Sequence, residues 1–225
     1  MLDKKSIVTV LVVLIIMTSL ASVIIVSELK GDKNTTSSGA YQVISRVNNE
    51  GSGIYIEKSI VDARGGFDKF YHEDPDTGII SFSSDNAAAW NKLIVGTPGA
   101  ATIQHVYMQQ IVESMGMVFT LYQDGQTLQD NNVYFITNMN NAGVVIKNDM
   151  LNAGMLWEPQ YSAIVEDEGG RFDELALTNN IFPGHTCCIL VGNMNYMRTH
   201  TEVAERFLIG YMKGVDFINA ALNGD

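Results

Sequence analysis

The residues from Leu93 to Gly116 (LIVGTPGAATIQHVYMQQIVESMG) place a short strand, a Gly/Pro turn and a helix in direct succession. An apolar, β-branched run closed by Gly96 is typical of a strand that is buried on both faces. Thr97 is suited to cap the helix and Pro98 to occupy its first position, where no N–H donor is needed. Together with the strands and helices further along the chain, this succession predicts an α/β domain with a mostly parallel sheet.

The turn that follows this strand is the first candidate site. Small residues there leave the expected first-turn N–H groups uncovered, and two threonines add hydroxyl groups. An anionic or carbonyl group can approach such a turn closely. The alternative, which composition alone favours, is a tight connection that binds nothing. Neither nucleotide-binding glycine fingerprint is complete here. The residues of this predicted site are Thr97, Gly99, Ala100, Ala101 and Thr102.

An uncharged apolar run from Ile7 to Val26 follows two lysines, Lys4 and Lys5. A helix of about 20 apolar residues crosses a bilayer core, whereas the apolar part of a cleaved signal is about 7–15 residues long. We therefore predict an uncleaved signal anchor over residues 1–29, with a cleaved signal as the alternative. The lysines favour a cytoplasmic N-terminus. The expected location is the cell membrane, with a single transmembrane helix and the domain on the extracytoplasmic side.

Residues 30–40 are small and polar, which predicts a flexible tether. The whole chain carries 25 acidic and 14 basic residues, a formal net charge of −11. Binding to nucleic acid requires a basic face that neutralises phosphates, and no basic run is visible. The composition therefore disfavours a nucleic-acid partner, although it leaves room for a local site for a small anion.

The rest of the chain alternates between strand-like and helical patterns. Residues 187–192 (CCILVG) are typical of a strand of the buried parallel kind. The last helix begins with a capping-box pattern at Thr199 and Glu202. The apolar face of that helix comprises Val203, Phe207, Tyr211, Val215 and Ile218. The other predicted strands lie near residues 43–47, 54–56, 117–122, 132–137, 153–156 and 172–177, and short helices near 138–151 and 160–167.

Parallel sheets bind ligands beyond the carboxyl ends of their strands, and two further turns occupy such positions. Trp157 is suited either to stack on a ligand or to join the core. Glu158 is suited to accept a hydrogen bond from a ligand, or to be a solvated carboxylate at the rim. His185, in the turn Asn180–Thr186, could donate to an anion, or be an exposed turn residue.

The sequence predicts no catalytic set, metal site or cofactor. His72 stands in an acidic patch, but adjacent loop residues cannot readily all converge on one ion. Cys187 and Cys188 are the only cysteines. Adjacent cysteines rarely form a disulfide with each other because the ring is strained. We expect both to be small buried residues.

Three separated segments carry a family resemblance: GTPGAATIQHV (96–106), AGMLWEPQYS (153–162) and FPGHTCCILV (182–191). In order and spacing they resemble the solute-binding proteins of ABC importers, in the nitrate/sulfonate/taurine-like branch. The resemblance implies a periplasmic-binding-protein type II-like fold that binds a small anion or compact heterocycle and hands it to a permease with its ATPase.

The resemblance also implies a domain organisation. Residues 41–92 are expected to form a partial first lobe with the hinge region, and residues 93–225 the second ligand-binding lobe. Part of the first lobe and the C-terminal return of the family are expected to be absent. Two alternatives stay open, because fold alone does not decide function. One is an enzyme on the same fold, related to pyrimidine-precursor synthesis, for which His185 with Cys187 is the only hint. The other is a remnant that binds nothing.

Overall fold

The computed structural model describes residues 41–49 and 51–224. These residues divide into two units: the first contains residues 41–47 and 188–224, and the second contains Asn48–Cys187. The predicted anchor over residues 1–29 and the tether over residues 30–40 lie outside the described residues. Within the described part of the chain, no helix is both long and apolar enough to cross a membrane. The predicted lobe boundary between residues 92 and 93 stays a prediction.

The order of elements alternates strands and helices, as the sequence predicts. The strands are β1 Tyr41–Asn49, β2 Ser52–Glu57, β3 His72–Glu73, β4 Ile80–Ser81, β5 Ile94–Gly96, β6 Val118–Leu121, β7 Asn132–Ile136, β8 Ala153–Trp157, β9 Phe172–Leu177 and β10 Thr186–Asn193. The helices are α1 Lys58–Arg64, α2 Ala87–Trp90, α3 Ile103–Ser114, α4 Ala142–Ile146, α5 Gln160–Val165, α6 Thr178–Ile181, α7 Met194–Thr199 and α8 Thr201–Asn223.

A six-stranded sheet with the order β6-β7-β5-β8-β2-β9 forms the centre of the second unit. The pairs β6–β7, β7–β5 and β5–β8 are parallel, whereas β2 runs antiparallel to both β8 and β9. The predicted mostly parallel sheet is thus confirmed, with β2 as the reversed strand. The ends of β5, β8 and β9 and the start of β2 therefore share one edge, which we call the carboxyl edge.

Apolar side chains fill both faces of this sheet. On one face Met108 and Val112 of α3 pack with Val95 and Met155, all fully buried or nearly so. On the other face α4 and α5 contribute a second core cluster, which includes Tyr55. Because both faces are covered, the central strands β5 and β8 are buried on both sides, as the run before Gly96 predicts.

The predicted start of the helix after β5 is wrong. Helix α3 begins at Ile103, and its N-cap is Thr102, whose side chain accepts a hydrogen bond from the His105 N–H at 3.4 Å. Thr97 is instead fully buried before the helix. The intervening residues form a turn that Thr102 closes by donating from Oγ1 to the Gly99 carbonyl at 2.7 Å. Thr97 and Thr102 are both of a residue type that caps helices, and the turn between them leaves Thr102 in the N-cap position.

The predicted burial of β10 is also wrong. This strand pairs with β1 in a two-stranded sheet, so it does not enter the six-stranded sheet. Ile189 and Val191 keep 48% and 44% of their surface exposed. Cys187 is half-buried and Cys188 exposed, and neither forms a disulfide. The expectation of two buried cysteines therefore fails because no second layer of the described residues covers this strand on both faces.

The predicted capping box of the last helix is wrong as well. Thr199 donates from Oγ1 to the Asn195 carbonyl at 2.9 Å, and so closes α7 rather than opening α8. Helix α8 begins at Thr201 without a side-chain cap. Its predicted apolar face exists, but Val203, Phe207 and Ile218 are more than half exposed. In contrast, the prediction of an edge strand over residues 172–177 is confirmed by β9.

Candidate functional site

Buried polar side chains gather at the carboxyl edge, around the start of α3. Seven polar side chains are buried among the described residues, and six of them belong to this group. The seventh, Asn86, bonds elsewhere, to the Lys69 carbonyl. We call the group the polar cluster; it consists of Ser52, Thr97, Gln104, His105, Thr178 and His185.

One chain of hydrogen bonds connects four members of the polar cluster. Gln104, in the first turn of α3, donates from Nε2 to Oγ of Ser52 at 2.9 Å. Thr178, at the start of α6, donates from Oγ1 to the Ser52 carbonyl at 2.8 Å. His185 Nε2 lies 2.9 Å from the same Thr178 oxygen. The start of β2, the end of β9 and the start of α3 are thereby joined through side chains.

The bonding of Thr178 fixes the tautomer of His185. The Thr178 hydroxyl hydrogen is directed at the Ser52 carbonyl, so Oγ1 accepts the bond from His185. Neutral His185 therefore carries its hydrogen on Nε2, and its Nδ1 offers a lone pair. That Nδ1 is buried and has no hydrogen-bond partner among the described residues. A buried polar atom without a partner is uncommon and indicates an unfilled contact or a functional role.

A second pair supports the turn before α3. Thr97 Oγ1 lies 3.0 Å from Nδ1 of His105. The imidazole ring packs edge-on against Phe135, with 4.7 Å between ring centroids, and is tilted against Phe119. Burial in this apolar setting lowers the pKa of His105 below its usual range. His105 is therefore neutral at pH 7 and holds the turn in place without adding charge.

The start of α3 adds backbone donors to the polar cluster. The first N–H groups of a helix have no partner within the helix, and Thr102 satisfies only that of His105. The N–H groups of Ile103 and Gln104 remain at the positive end of this helix, which has 12 residues. The site thus combines donors from the backbone with the acceptor on His185.

The predicted turn residues lie close to this cluster, but they precede helix α3 and do not form its first turn. Gly99 is half-buried, and Ala100 and Ala101 are exposed. All three precede the helix, so their N–H groups are not those of its first turn. Thr97 belongs to the buried cluster. His185 is only 9% exposed, which corrects the alternative of an exposed turn residue.

Trp157 and Glu158 lie at the carboxyl edge, but they contact residues outside the polar cluster. Trp157 is half-buried and packs against the core cluster of the α4 and α5 face, whereas α3 covers the opposite face. The Glu158 carboxylate is exposed and accepts from the Ser162 N–H at 3.2 Å and from the Ser162 hydroxyl at 2.8 Å. The geometry therefore favours a core role for Trp157 and a rim role for Glu158.

Sequence reasoning missed Ser52, Gln104 and Thr178. A usable signal exists for Thr178, because it directly follows a predicted strand, as Thr97 follows β5. Ser52 stands between two glycines at the start of β2. No local pattern indicates that Gln104 is buried, since a glutamine on a surface helix is usually solvated.

The arrangement is a mixed α/β fold whose central, mostly parallel sheet is flanked by helices. No known family profile matches the sequence, and no curated protein matches it. The fold is similar to that of the periplasmic nitrate-binding protein NrtA from Synechocystis PCC 6803, with a TM-score of 0.54 and 14% sequence identity over 78% of this chain. The chain spans 40% of the length of that protein. At this identity the likeness shows the fold alone.

Proposed function

We propose that this chain is the extracytoplasmic solute-binding component of an ABC importer and that the polar cluster holds the solute. The fold is similar to that of a protein whose name states that it binds nitrate in the periplasm. A binding role is compatible with a sequence that predicts no catalytic set. The chain would deliver its solute to a permease and its ATPase.

The observation that carries the proposal is the buried, unpartnered Nδ1 of His185 at the carboxyl edge. Ser52 adds a donor, because its Oγ accepts from Gln104 and its own hydroxyl hydrogen stays available. Ligands of parallel sheets bind beyond this edge. A small solute that bonds to both residues would satisfy the acceptor at His185 Nδ1 and the hydroxyl donor of Ser52.

The solute would be either a small anion or a compact heterocycle, and His185 discriminates between them. Neutral His185 presents an acceptor at Nδ1, which suits a heterocycle with an N–H group. An anion requires a donor there, and therefore a protonated His185.

Membrane attachment belongs to the same proposal. The apolar run from Ile7 to Val26 would anchor the chain, and residues 30–40 would tether the domain outside the cytoplasm. Fractionation of cells that express the chain tests this arrangement. A soluble form whose N-terminus follows Ala21 or Ser27 would contradict the anchor.

The site is tested by calorimetry on the full chain in mild detergent. Nitrate, sulfate, taurine and a pyrimidine are titrated in turn. We expect one class to bind, and the His185→Gln variant to lose that binding. The control is His72→Gln, because His72 is exposed in β3. Binding that survives in His185→Gln would place the site elsewhere, and no binding in the whole panel would contradict the proposal.

A further inference from the structure

The first unit has no core of its own. None of its described residues, 41–47 and 188–224, is buried. It also holds twelve of the nineteen large exposed hydrophobic residues that the structure describes. Helix α8 covers part of the two-stranded sheet, and Tyr211 donates from its hydroxyl to the Arg46 carbonyl at 3.2 Å. Much of the apolar surface of this unit therefore still faces outward.

Helix α8 has two apolar sides and one charged side. At 100° per residue, half-buried residues such as Leu208, Tyr211 and Val215 lie on one side. The next side is an arc of about 100°, in which residues 203–218 contribute only apolar residues and glycines, all exposed. The third side holds all five charged residues of the helix. We call the exposed apolar arc the α8 face; it consists of Val203, Phe207, Gly210, Gly214, Phe217 and Ile218.

The α8 face is open to solvent in this chain. Phe217 is 75% exposed, and Phe207 and Ile218 are each 57% exposed. Val203 and Phe207 also line an apolar groove of about 320 Å³ between α8, α7 and β10, so the apolar surface continues past the helix. Single exposed apolar residues are ordinary, whereas a contiguous apolar patch marks an interaction site.

The charges of α8 are distributed as a lipid interface favours. The two bases, Arg206 and Lys213, lie within about 40° of the edge of the α8 face. Two of the acids, Glu205 and Asp216, lie about 150–170° from its middle. The third acid, Glu202, pairs with Arg206 at 2.7 Å. Bases beside an apolar face reach lipid phosphates while their stems cover apolar surface. A protein partner imposes no such order on the two signs of charge, so the distribution favours a bilayer.

The tether leads directly into the first unit. Residues 27–40 are the only fourteen residues between the apolar run, Ile7 to Val26, and Tyr41, where β1 begins. Fourteen residues span at most about 50 Å, and a flexible chain of that length spans about 20 Å on average. An anchored chain would therefore hold the first unit beside the bilayer at a high effective concentration, at which a weak contact suffices.

We propose that the α8 face lies on the surface of the lipid bilayer, with Phe207 and Phe217 at the boundary between headgroups and acyl chains. This inference rests on the membrane attachment in the proposed function. The helix lies along the surface, since no helix in the described part of the chain is both long and apolar enough to cross a membrane. The bilayer then covers apolar surface that the described residues leave open.

Fluorescence quenching by brominated lipid tests the contact. The full chain is reconstituted into phosphatidylcholine vesicles with or without bromine on the acyl chains, and Phe217→Trp serves as the probe. The parent chain supplies the background from its two tryptophans, Trp90 and Trp157. We expect brominated lipid to quench the emission that Phe217→Trp adds. The matched control is Glu205→Trp, on the charged side of α8, whose added emission should not change.

The outcomes separate this contact from the anchor. A full chain that does not float with the vesicles would overturn the proposed attachment and this inference with it. A chain that floats while Phe217→Trp escapes quenching would overturn the inference alone and leave the anchor standing. If that unquenched emission also moves to shorter wavelength, a protein surface covers the α8 face instead. Equal quenching of Phe217→Trp and Glu205→Trp would overturn the assignment to this face.

Added bulk distinguishes a fluid occupant from one of fixed shape. A Cβ atom added at Gly210 or Gly214 would meet nothing within 4 Å. A bilayer accommodates additional apolar side chains, whereas a protein partner requires a complementary shape. Gly210→Leu/Gly214→Leu, combined with Phe217→Trp, should therefore keep or increase the quenching by brominated lipid, with the helical circular dichroism retained. A loss of quenching in this variant would overturn the lipid contact.

Discussion

His185 Nε2 lies 2.9 Å from Oγ1 of Thr178, an oxygen whose own hydrogen is directed at the Ser52 carbonyl. Thr178 is fully buried, so water does not replace either bond. The hydroxyl group therefore orients the imidazole ring and fixes which nitrogen is left open. In the proposed site, the atom available to a solute therefore depends on Thr178, a residue that need not touch the solute.

Replacing Thr178 tests this orienting role. Thr178→Val should lower the free energy of unfolding by about 1–3 kcal/mol, because it leaves the His185 N–H and the Ser52 carbonyl without partners in a buried place. Urea unfolding measures the loss. Thr178→Ser keeps the hydroxyl group and is the control. Equal losses in the two variants would mean that packing of the threonine methyl group, and not the hydrogen bonds, accounts for the effect.

Removal of the Tyr55 hydroxyl group is expected to stabilise the protein. The Tyr55 hydroxyl is fully buried without a hydrogen-bond partner, and burial raises the pKa of this phenol well above its usual range. Tyr55→Phe should raise the free energy of unfolding by about 1 kcal/mol, since an unsatisfied polar group leaves the core.

Tyr161→Phe provides the comparison for Tyr55, because the Tyr161 hydroxyl donates to Glu174 Oε2 at 2.8 Å. That variant should lose stability by about 1 kcal/mol. Chemical denaturation of both variants measures whether each substitution raises or lowers the free energy of unfolding. A destabilised Tyr55→Phe would show that this hydroxyl group makes a favourable contact.

His105 makes stability depend on pH. Burial lowers its pKa in the folded state, whereas in the unfolded chain a histidine titrates near its ordinary value of about 6.5. Below that pH the unfolded state binds more protons than the folded state, so stability falls as the pH falls. Urea unfolding at about pH 7.5 and about pH 5.5 should show a smaller difference for His105→Asn than for the parent chain.

His72→Asn is the reference for this pH experiment, because His72 is exposed. It should keep the full pH dependence of the parent chain. If the two variants respond alike, His105 does not carry the effect.

Gly154 should not tolerate a side chain. A Cβ atom there would collide with the Tyr55 hydroxyl group and with the Gly96 carbonyl oxygen. Gly154→Ala should lower the free energy of unfolding by about 1–3 kcal/mol through overpacking. At Gly99 the nearest atom to an added Cβ is Thr102 Cγ2 at 3.8 Å, an ordinary contact, so Gly99→Ala is a matched control. Thermal unfolding compares the two, and equal melting temperatures would contradict the expected clash.

The sequence predicts the elements well where a local pattern decides them. The strand that ends at Gly96, the strand over residues 153–156 and the helix that follows Pro159 each follow from hydrophobic periodicity and from residues that end strands. All three are present as β5, β8 and α5. The edge position of β9 is also confirmed.

Burial and long-range contacts could not be predicted in the same way. The apolar sequence of β10 shows that this strand can be buried, but not that a second layer covers it. Ser52 and Thr178 are 126 residues apart in sequence. They meet because β2 inserts between β8 and β9, and local patterns contain no information about that pairing. The polar cluster therefore became visible only in the fold.

The second unit consists of one uninterrupted stretch, residues 48–187, between the two segments of the first unit. Every side chain that is buried in the described part of the chain belongs to that stretch, and so does the whole polar cluster. A gene fragment for residues 48–187 should therefore encode an autonomous folding module. Such a module could be transplanted into an unrelated carrier protein together with its chemistry, without the flanking segments.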